Sequence, residues 1–588
     1  MKKHISLLML LLAMMFCACS KKGDIASKIQ YFAFQSEKDG RWGLISTDGK
    51  VLFADEFKNA PSIAMNDRFV VENSNGEYEI YTAEKKPKQV GDTYKAICPF
   101  VEKVTPAVQK GKNIVLVNTD GEVVKELDKL SGKKVLSVSS YEEGIAIFRT
   151  YDNRYGAIDT DGDVVIEPKF LKLGTAADGK ILAVDEKDEA AYKSDDKDKL
   201  KYQVLSTDNG KTLGEIPANK IDYIGDAFSD DIIAGCENDD EENKRSGLVG
   251  TDGEWTLKPM EKFKSIYTIR NKHFVFKNED GTGLATIDGE VVIRPKYASL
   301  DFAADDILMA YDDNKDSDER YFLLDLDGER IGKRAFHNIV TPFLGDGKYA
   351  VVAFEEDHYG FVDRDGEKLD LEDGTNIYNV NFSTGSYEIT SDNIEYDDLV
   401  NILNVTKNGL YGFSFNMNPE DAAKMVAALK GERRVDPSDF TTTRDFECDI
   451  ECGPLSLTLT VEYPDCVASS VDKPDGTTGY RFNKELRPSA IYVTYKGDEE
   501  EAKSKLLEAL KKETRSLGKT FANTEDFTAS EVNSTLIAIA RKDGSNILFG
   551  IGIGSPSDVN PYDTSASEEA VADSAVADYA DIDSVAAY

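Results

Sequence analysis

Residues 42–52 read Trp-Gly-Leu-Ile-Ser-Thr-Asp-Gly-Lys-Val-Leu. The segment holds an aromatic-Gly pair, a short apolar stretch, an Asp-Gly step and a second apolar stretch. Asp-Gly between two apolar stretches is a strong hairpin signal, because a type I′ turn needs positive φ, which glycine adopts without strain. The segment therefore predicts two antiparallel strands that reverse at Gly49.

The same pattern returns along the chain. In five copies the second glycine follows the first by six residues. The motif residues of these copies are Trp42, Gly43, Asp48, Gly49, Tyr155, Gly156, Asp161, Gly162, Gly247, Asp252, Gly253, Gly283, Asp288, Gly289, Tyr359, Gly360, Asp365 and Gly366. Weaker copies keep Asp-Gly at 120–121 and 327–328, degenerate copies lie near Glu77-Tyr78 and at 208–210, and a last partial copy is Tyr411-Gly412.

The spacing of the turn glycines defines the size of the repeat. They recur about every forty residues, and a second turn often precedes the aromatic-Gly pair, as at Asp39-Gly40. Two turns per repeat predict a meander of three or four short strands, which is marginally stable alone and must stack on its neighbours. Four strands in about forty residues is the size of a propeller blade. We therefore predict a mainly β, propeller-like closed array, with an open stacked array as the alternative.

These residues resemble the WG beta-repeat family of bacterial proteins, named after a Trp-Gly step such as Trp42-Gly43. The resemblance covers roughly residues 30 to 415, and several copies have lost the aromatic residue, the first glycine or both. Members of the family are commonly secreted or envelope proteins that mediate interactions without a shared catalytic centre. The resemblance therefore implies a binding scaffold and leaves its ligand open.

The first nineteen residues predict an export signal. Lys2 and Lys3 precede an apolar stretch that ends at Phe16-Cys17-Ala18-Cys19, which is too short to span a bilayer comfortably. The end of this stretch resembles a lipobox, although Phe16 departs from the usual pattern. We therefore expect residues 1–18 to be a lipoprotein signal peptide and Cys19 to carry the lipid. This predicts a membrane-anchored protein of the bacterial cell envelope, periplasm-facing or on the cell surface, with residues 19–29 as its tether.

Beyond the repeats the pattern changes. Asn418-Pro419 predicts the start of a helix, residues 455–463 alternate as a half-buried strand, and Asp498 opens a second helix. We predict a repeat domain at 30–415, an α+β domain at 416–555 and a disordered acidic tail at 556–588.

Five cysteines besides Cys19 remain after the predicted cleavage. Cys448 and Cys452 lie four residues apart in an apparent strand, about 13 Å from each other, so they cannot bridge. Either could pair with Cys466 across a hairpin, and Cys452–Cys466 is the candidate disulfide. The other interpretation, that these cysteines are small buried hydrophobic residues, stays open.

The sequence favours binding over catalysis. A net charge of −38 opposes nucleic-acid binding. No Ser, His or zinc motif of a known enzyme class is found, and no cofactor or metal is expected. Residues 159–163 resemble a calcium loop but lack its central glycine, and they match the hairpin turn of the other repeats.

The expected function is that of a scaffold that binds an envelope protein or a glycan. One alternative is a glycan-active, sialidase-like enzyme, because residues 206–213 resemble an Asp-box with Leu213 in place of Trp. The other alternative is a structural spacer with no ligand. Exposed aromatic side chains gathered on one face of the array would argue against the spacer.

Overall fold

The computed structural model describes residues 25–193, 197–221, 223–237, 244–315, 320–371, 374–383, 386–393, 396, 400, 402–430, 437–452, 455–472 and 478–556. The predicted signal peptide, Cys19, most of the tether and the acidic tail beyond residue 556 lie outside the described residues. Two compact domains form. The ring domain extends to Asn393, and the second domain comprises the chain from Ile394 together with two short segments, 151–153 and 190–193.

The ring domain consists of antiparallel groups of strands, which we call blades. Helix α1 (Ile25–Lys28) precedes them. Blade 1 comprises β1 (Tyr31–Gln35), β2 (Trp42–Ser46) and β3 (Val51–Phe57), and blade 2 comprises β4 (Arg68–Glu72), β5 (Tyr78–Thr82) and β6 (Gln89–Tyr94). Blade 3 comprises β7 (Ala96–Ile97), β8 (Val104–Val108), β9 (Ile114–Asn118) and β10 (Val123–Glu126). Blade 4 comprises β11 (Lys129–Leu130), β12 (Lys133–Glu142), β13 (Ile145–Thr150), β14 (Tyr155–Ile158) and β15 (Val164–Leu173).

The remaining blades follow in chain order. Helix α2 (Glu189–Lys193) stands between β16 and β17 in the sequence, and its residues 190–193 belong to the second domain. Blade 5 comprises β16 (Lys180–Asp185), β17 (Lys201–Ser206) and β18 (Thr212–Pro217), and blade 6 comprises β19 (Ile232–Glu237), β20 (Arg245–Gly250) and β21 (Trp255–Met260). Blade 7 comprises β22 (Ser265–Arg270), β23 (His273–Asn278), β24 (Gly281–Thr286) and β25 (Val291–Tyr297). Blade 8 comprises β26 (Ser299–Ala304), β27 (Ile307–Tyr311), β28 (Tyr321–Asp325) and β29 (Arg330–Phe336), and blade 9 comprises β30 (Asn338–Leu344), β31 (Tyr349–Glu355) and β32 (His358–Asp363). Blades 4 and 5 form one continuous sheet, because the last residues of β15 pair with β16 and serve as the inner strand of blade 5. Counted with this shared strand, the described strands give nine blades. The predicted mainly β meander array is confirmed.

In blades 1, 4, 6 and 7 the first glycine of the motif lets the last strand of the blade approach closely. A Cβ atom on Gly43 would lie 2.3 Å from the carbonyl oxygen of Phe53, and one on Gly247 would lie 2.3 Å from that of Leu257. Both pairs span the last two strands of a blade, where the register shifts at a bulge. A side chain at this position would push the bulged strand away, so glycine is required here.

The second glycine forms the hairpin turn and also contacts the preceding blade. Gly162 has a φ of +74°, as a hairpin turn requires. Its Cα hydrogen points at Leu116 of blade 3, where an added Cβ would come within 2.8 Å of a side-chain carbon. The same relation to the preceding blade holds for Gly121, Gly210, Gly253, Gly289, Gly328 and Gly366. The turns therefore space the blades as well as reversing the chain.

The array closes into a ring. Gly49 of blade 1 approaches Leu369 and Leu371, which follow the last strand of blade 9. After blade 9 the chain returns as β33 (Asn379–Asn381), which pairs with β1, and β34 (Glu388–Thr390), which pairs with β12. The structure therefore has the closed arrangement rather than the open stack.

One short segment pairs with β1 of blade 1 and with β12, the first long strand of blade 4, so these two strands face a common centre. A shared apolar core supports this, because Phe34 of blade 1, Val108 of blade 3, Val138 of blade 4 and Val351 of blade 9 pack in one cluster with Phe382 of the returning segment. Propellers typically have about four to eight blades around a central channel. Nine blades leave a wider centre, and this chain fills part of it with its own residues.

The second domain is α+β, as predicted. Its main sheet has the order β37-β38-β41-β45-β44-β43-β42, and Asn418 caps α3 by accepting a hydrogen bond from the Asp421 backbone N–H at 3.1 Å. The elements are β35 (Gly409–Leu410), β36 (Phe413–Ser414), α3 (Pro419–Lys430), β37 (Asp445–Cys452), β38 (Leu455–Glu462), β39 (Ala468–Asp472), β40 (Thr478–Phe482), β41 (Ala490–Tyr495), α4 (Glu500–Leu517), β42 (Lys519–Asn523), β43 (Phe527–Glu531), β44 (Leu536–Asp543) and β45 (Asn546–Ile553).

The interpretation of Tyr411-Gly412 as a last repeat is wrong. Both residues have positive φ, +54° and +84°, and they form the turn between β35 and β36. The aromatic-Gly pairs of the blades lie instead in extended strands, as Trp42-Gly43 does in β2. Residues 402–415 accordingly group with the second domain.

The Cys452–Cys466 disulfide is not formed. Cys452 pairs with Leu455 at the turn end of the β37–β38 hairpin, whereas Cys466 follows Glu462 at the opposite end. Eight-residue strands separate these ends by roughly 20 Å, far beyond the reach of a disulfide. The five described cysteines form no disulfide, and Cys448 and Cys452 are buried among apolar residues.

Candidate functional site: the inner rim of the ring

The returning segment covers the inner strands of the first four blades. Besides β33 and β34, the Ile63 N–H donates to the Ser383 carbonyl at 2.9 Å in blade 2. In blade 3 the Ser386 N–H donates to the Ile97 carbonyl at 3.3 Å. The inner edges of blades 1 to 4 are thus occupied by the chain itself.

Three tyrosines stand out on the inner rim. Tyr223, Tyr267 and Tyr387 have 61%, 57% and 37% of their surface exposed. They are the most exposed aromatic side chains among the described residues of the ring domain. Tyr267 belongs to β22, the first strand of blade 7. All three lie on segments that border the centre.

Tyr267 and Tyr387 lie at equivalent positions in the ring, because each is next to a bulge in the inner strand of its blade. The pairing of β22 with β23 shifts between Ile266 and Ile269, which places Tyr267 in the bulge. The pairing of β12 with β13 shifts in the same way between Val138 and Tyr141.

Tyr387 meets blade 4 at this bulge. Its carbonyl accepts a hydrogen bond from the N–H of Ser140, which lies between the two shifted pairs, at 2.6 Å. Tyr267 of blade 7 and Tyr387 beside blade 4 therefore share one level of the rim.

Tyr223 reaches that level from blade 5. The hydroxyl of Thr175 donates to the carbonyl of Gly225 at 2.8 Å. Thr175 lies between the Leu173–Ala183 pair and the Ala177–Lys180 bridge, where the register shifts by one residue. The segment that carries Tyr223 therefore lies beside the corresponding bulge. The three tyrosines occupy one sector, from blade 4 to blade 7.

Polar groups between the inner strands hold this sector in place. The Thr268 hydroxyl donates to Asp301 at 2.9 Å and links β22 to β26. Asp301 also accepts from the Phe302 N–H at 2.8 Å. Arg270 at the end of β22 pairs with Asp305 at 2.6 Å. The backbone that follows Tyr267 is thus tied to blade 8.

A half-buried carboxyl lies near Tyr387. Burial, reinforced by the neighbouring Glu143 carboxylate, raises the pKa of Glu142 to about 7. Burial also raises the pKa of Tyr387 to about 12, with a further contribution from Glu142. Glu143 is held by the backbone N–H groups of Asp178 and Gly179, at 2.9 and 2.8 Å. At neutral pH the Tyr387 phenol therefore lies near a Glu142 carboxyl that is about half protonated.

The motif residues predicted from the sequence lie elsewhere. Their glycines space the strands and blades, and the turn aspartates make local bonds, as Asp252 does with the Glu254 N–H at 3.0 Å. The segment that resembles a calcium loop is such a turn, because one Asp159 oxygen accepts from the N–H groups of Asp161 and Asp163. Among the described residues no group of acids, histidines and cysteines could hold a metal ion.

Sequence reasoning missed Tyr223, Tyr267 and Tyr387. They lie between the recognisable motifs, and a tyrosine in a strand is ordinary in sequence. Only the returning segment and the bulges show that all three lie on segments that border the centre. The described helices include none that is long and apolar enough to cross a membrane.

Comparisons with known proteins found one match to a family model and several distantly similar solved structures. The family model described as the WG containing repeat matches residues 155–184, which cover β14 to β16. No curated protein matches the chain.

Solved structures show only distant likeness. One structure titled as a eukaryotic initiation factor is 13% identical to this chain, with a TM-score of 0.40. The match covers 60% of this chain and 98% of the initiation-factor chain. BamB from Moraxella catarrhalis is 13% identical, with a TM-score of 0.27, and covers 51% of this chain and 92% of its own. Likeness at this level indicates no function. The matched residues span the last two strands of blade 4 and most of β16, so this part of the chain contains a WG repeat.

Proposed function

We propose that this protein is a binding scaffold whose inner rim, in the sector of Tyr223, Tyr267 and Tyr387, binds an envelope protein or a glycan. The observation that carries the proposal is the gathering of these exposed tyrosines at one level of the rim. Tyrosine gives a large apolar face with a polar tip, at the cost of few rotatable bonds, and is therefore enriched at binding surfaces.

The proposal places the protein in the bacterial cell envelope, anchored at a membrane by a lipid on Cys19. The repeat array and the apolar N-terminal stretch ending at Cys19 support this address. The proposed role is binding without catalysis. A ligand-free spacer would have no use for exposed aromatic groups gathered at its centre.

Alanine at all three rim tyrosines should abolish binding without unfolding the chain. The side chains are exposed, so the melting temperature should change little, since surface substitutions cost within about 0.5 kcal/mol. Loss of aromatic anchors costs about 2 kcal/mol or more each in binding. We expect retention of envelope proteins on the immobilised chain, or signals on a glycan array, to fall at least about tenfold.

The matched control is Tyr480→Ala, which removes a tyrosine that is 47% exposed in the second domain. This variant should retain the wild-type binders. Identical binders for the triple variant and the wild type would contradict the proposed site.

A further inference from the structure

The last strands of blades 6, 7 and 8 carry basic residues and no acid. These strands, β21, β25 and β29, each stand at the outer end of their sheet. Among the described strands none pairs with their outer side. A run of this kind is unexpected in a chain whose 108 acidic residues outnumber its 70 basic ones.

A bulge presents most of these bases to solvent. In each of the three strands the register against the preceding strand shifts, just after Leu257, Ile293 and Ile331. A bulge bends its strand and re-aims the side chains that it carries. The bulged residues include five exposed bases, which we call the basic arc: Lys258, Arg294, Lys296, Lys333 and Arg334.

The same bulge carries other charges elsewhere in the ring. In blade 1 it holds Asp55 and Glu56, and in blade 4 it holds Glu167 and Lys169. A basic residue is therefore not needed to build the bulge. Three adjacent blades nevertheless have bases at this position, which separates the charge of the arc from the requirements of the fold.

Neighbouring acids do not neutralise the basic arc. None of its five side chains forms an ion pair with a described residue. Glu261, which follows β21, is paired with Arg245 at 2.7 Å. Glu254, Glu290 and Glu329 each precede an arc residue by four positions, which is roughly 13 Å along an extended strand. The five cations therefore remain available to a ligand.

The surroundings of the arc narrow the class of ligand. Arginine binds carboxylates in a bidentate manner, and lysine adds positive charge. Pro295 and the bulges interrupt the backbone ladder, so the arc offers no regular edge for an added strand. None of the aromatic side chains in β21, β25 and β29 is exposed, so the arc lacks the open aromatic face on which a sugar ring would stack.

The entry of the chain into the ring argues against a membrane at the arc. The Thr47 N–H donates to the Gln30 carbonyl at 3.1 Å, so the N-terminal segment enters beside the β2–β3 turn. This turn lies at the opposite end of β3 from the bulge at Asp55. A membrane that holds the proposed anchor Cys19 would therefore lie at the turn end of the outer strands.

We propose that the basic arc is a second binding site, which takes an acidic, extended segment of another protein with carboxylates that reach from blade to blade. The arc lies on the outside of the ring, so this inference is independent of the proposed tyrosine site at the inner rim. Several carboxylates are needed in the ligand, because exposed ion pairs are individually weak. Cations on three adjacent blades match such a ligand.

Fluorescence anisotropy on the full chain tests this with a labelled twelve-residue peptide of alternating glutamate and serine. We expect saturable binding that weakens as salt rises, and no binding of a glutamine-serine peptide. Arg294→Gln with Lys296→Gln should weaken binding about fivefold or more. The control, Lys169→Gln with Lys172→Gln, changes the net charge equally in blade 4, where Lys169 lies in the bulge as Lys296 does in blade 7. This control should bind like the wild type.

The other outcomes overturn the inference. Equal weakening by the two double variants would show attraction by overall charge only. Failure of the glutamate peptide to bind would exclude the acidic segment, and arc-dependent binding of a uronate polymer or of phosphatidylglycerol vesicles would then identify a glycan or a membrane instead. Alanine at the three rim tyrosines should leave peptide binding intact. Loss of peptide binding in that variant would place the peptide at the inner rim, which supports the proposed function and contradicts the second site.

Discussion

Gly121→Ala should destabilise the ring domain far more than Gly111→Ala. Both glycines lie in blade 3 and both have positive φ, +78° and +69°. Alanine at either position therefore has to adopt a left-handed backbone conformation, which costs about 1–2 kcal/mol of stability. A Cβ on Gly121 would lie 2.4 Å from the backbone nitrogen of Gly91 in blade 2, whereas a Cβ on Gly111 would meet nothing within 4 Å.

The clash at Gly121 involves backbone on both sides, so neither partner can turn away. Blades 2 and 3 must separate, which adds the cost of overpacking, about 1–3 kcal/mol. Thermal or urea unfolding of the two variants measures the difference directly. Equal losses of stability would show that the turn glycines serve only to reverse the chain.

Glu142→Gln should stabilise the protein at alkaline pH. Burial beside Glu143 raises the pKa of Glu142 from 4.5 to about 7. The carboxyl therefore makes its full contribution to the free energy of unfolding below pH 4.5, and this contribution is lost as the pH rises through about 7. A shift of this size corresponds to about 3 kcal/mol. The neutral amide removes this loss.

The measurement is the free energy of unfolding of both proteins from pH 5 to pH 9. The difference between them should favour the variant increasingly as the pH rises, and it should level off above pH 8. Glu290→Gln, in an exposed hairpin turn, is the control and should follow the wild type throughout. A pH-independent difference for Glu142→Gln would contradict the buried, charge-sensitive carboxyl.

The local structure of the blades could be predicted, because each hairpin is decided by neighbouring residues. Gly162 has the positive φ that its Asp-Gly step indicates. The same glycine's contact with Leu116 depends on how far apart two blades lie, which no local pattern encodes. Tyr411-Gly412 shows the opposite failure, since the same two residue types form a turn when the flanking strands are only two residues long.

Closure and the candidate site depend on distant parts of the chain. β33 is only three residues long and has no motif, so nothing in its sequence predicts that it pairs with β1. The gathering of Tyr223, Tyr267 and Tyr387 follows from that closure. The disulfide prediction failed for a related reason, because sequence spacing does not tell which end of a hairpin a cysteine occupies.

The central claim is that the nine blades close into one ring, so that distant blades share a centre. Gln35 and Asn379 are 344 residues apart, yet their side chains are hydrogen-bonded across the β1–β33 pair. Gln35→Cys with Asn379→Cys should form a disulfide within the monomer, and closing so long a loop should stabilise the fold on the order of 5 kcal/mol. Gln35→Cys with Asn376→Cys, three residues out of register, should form much less. If the in-register pair stays reduced under oxidising conditions, or links only between molecules, the ring is open and its centre cannot be the binding site.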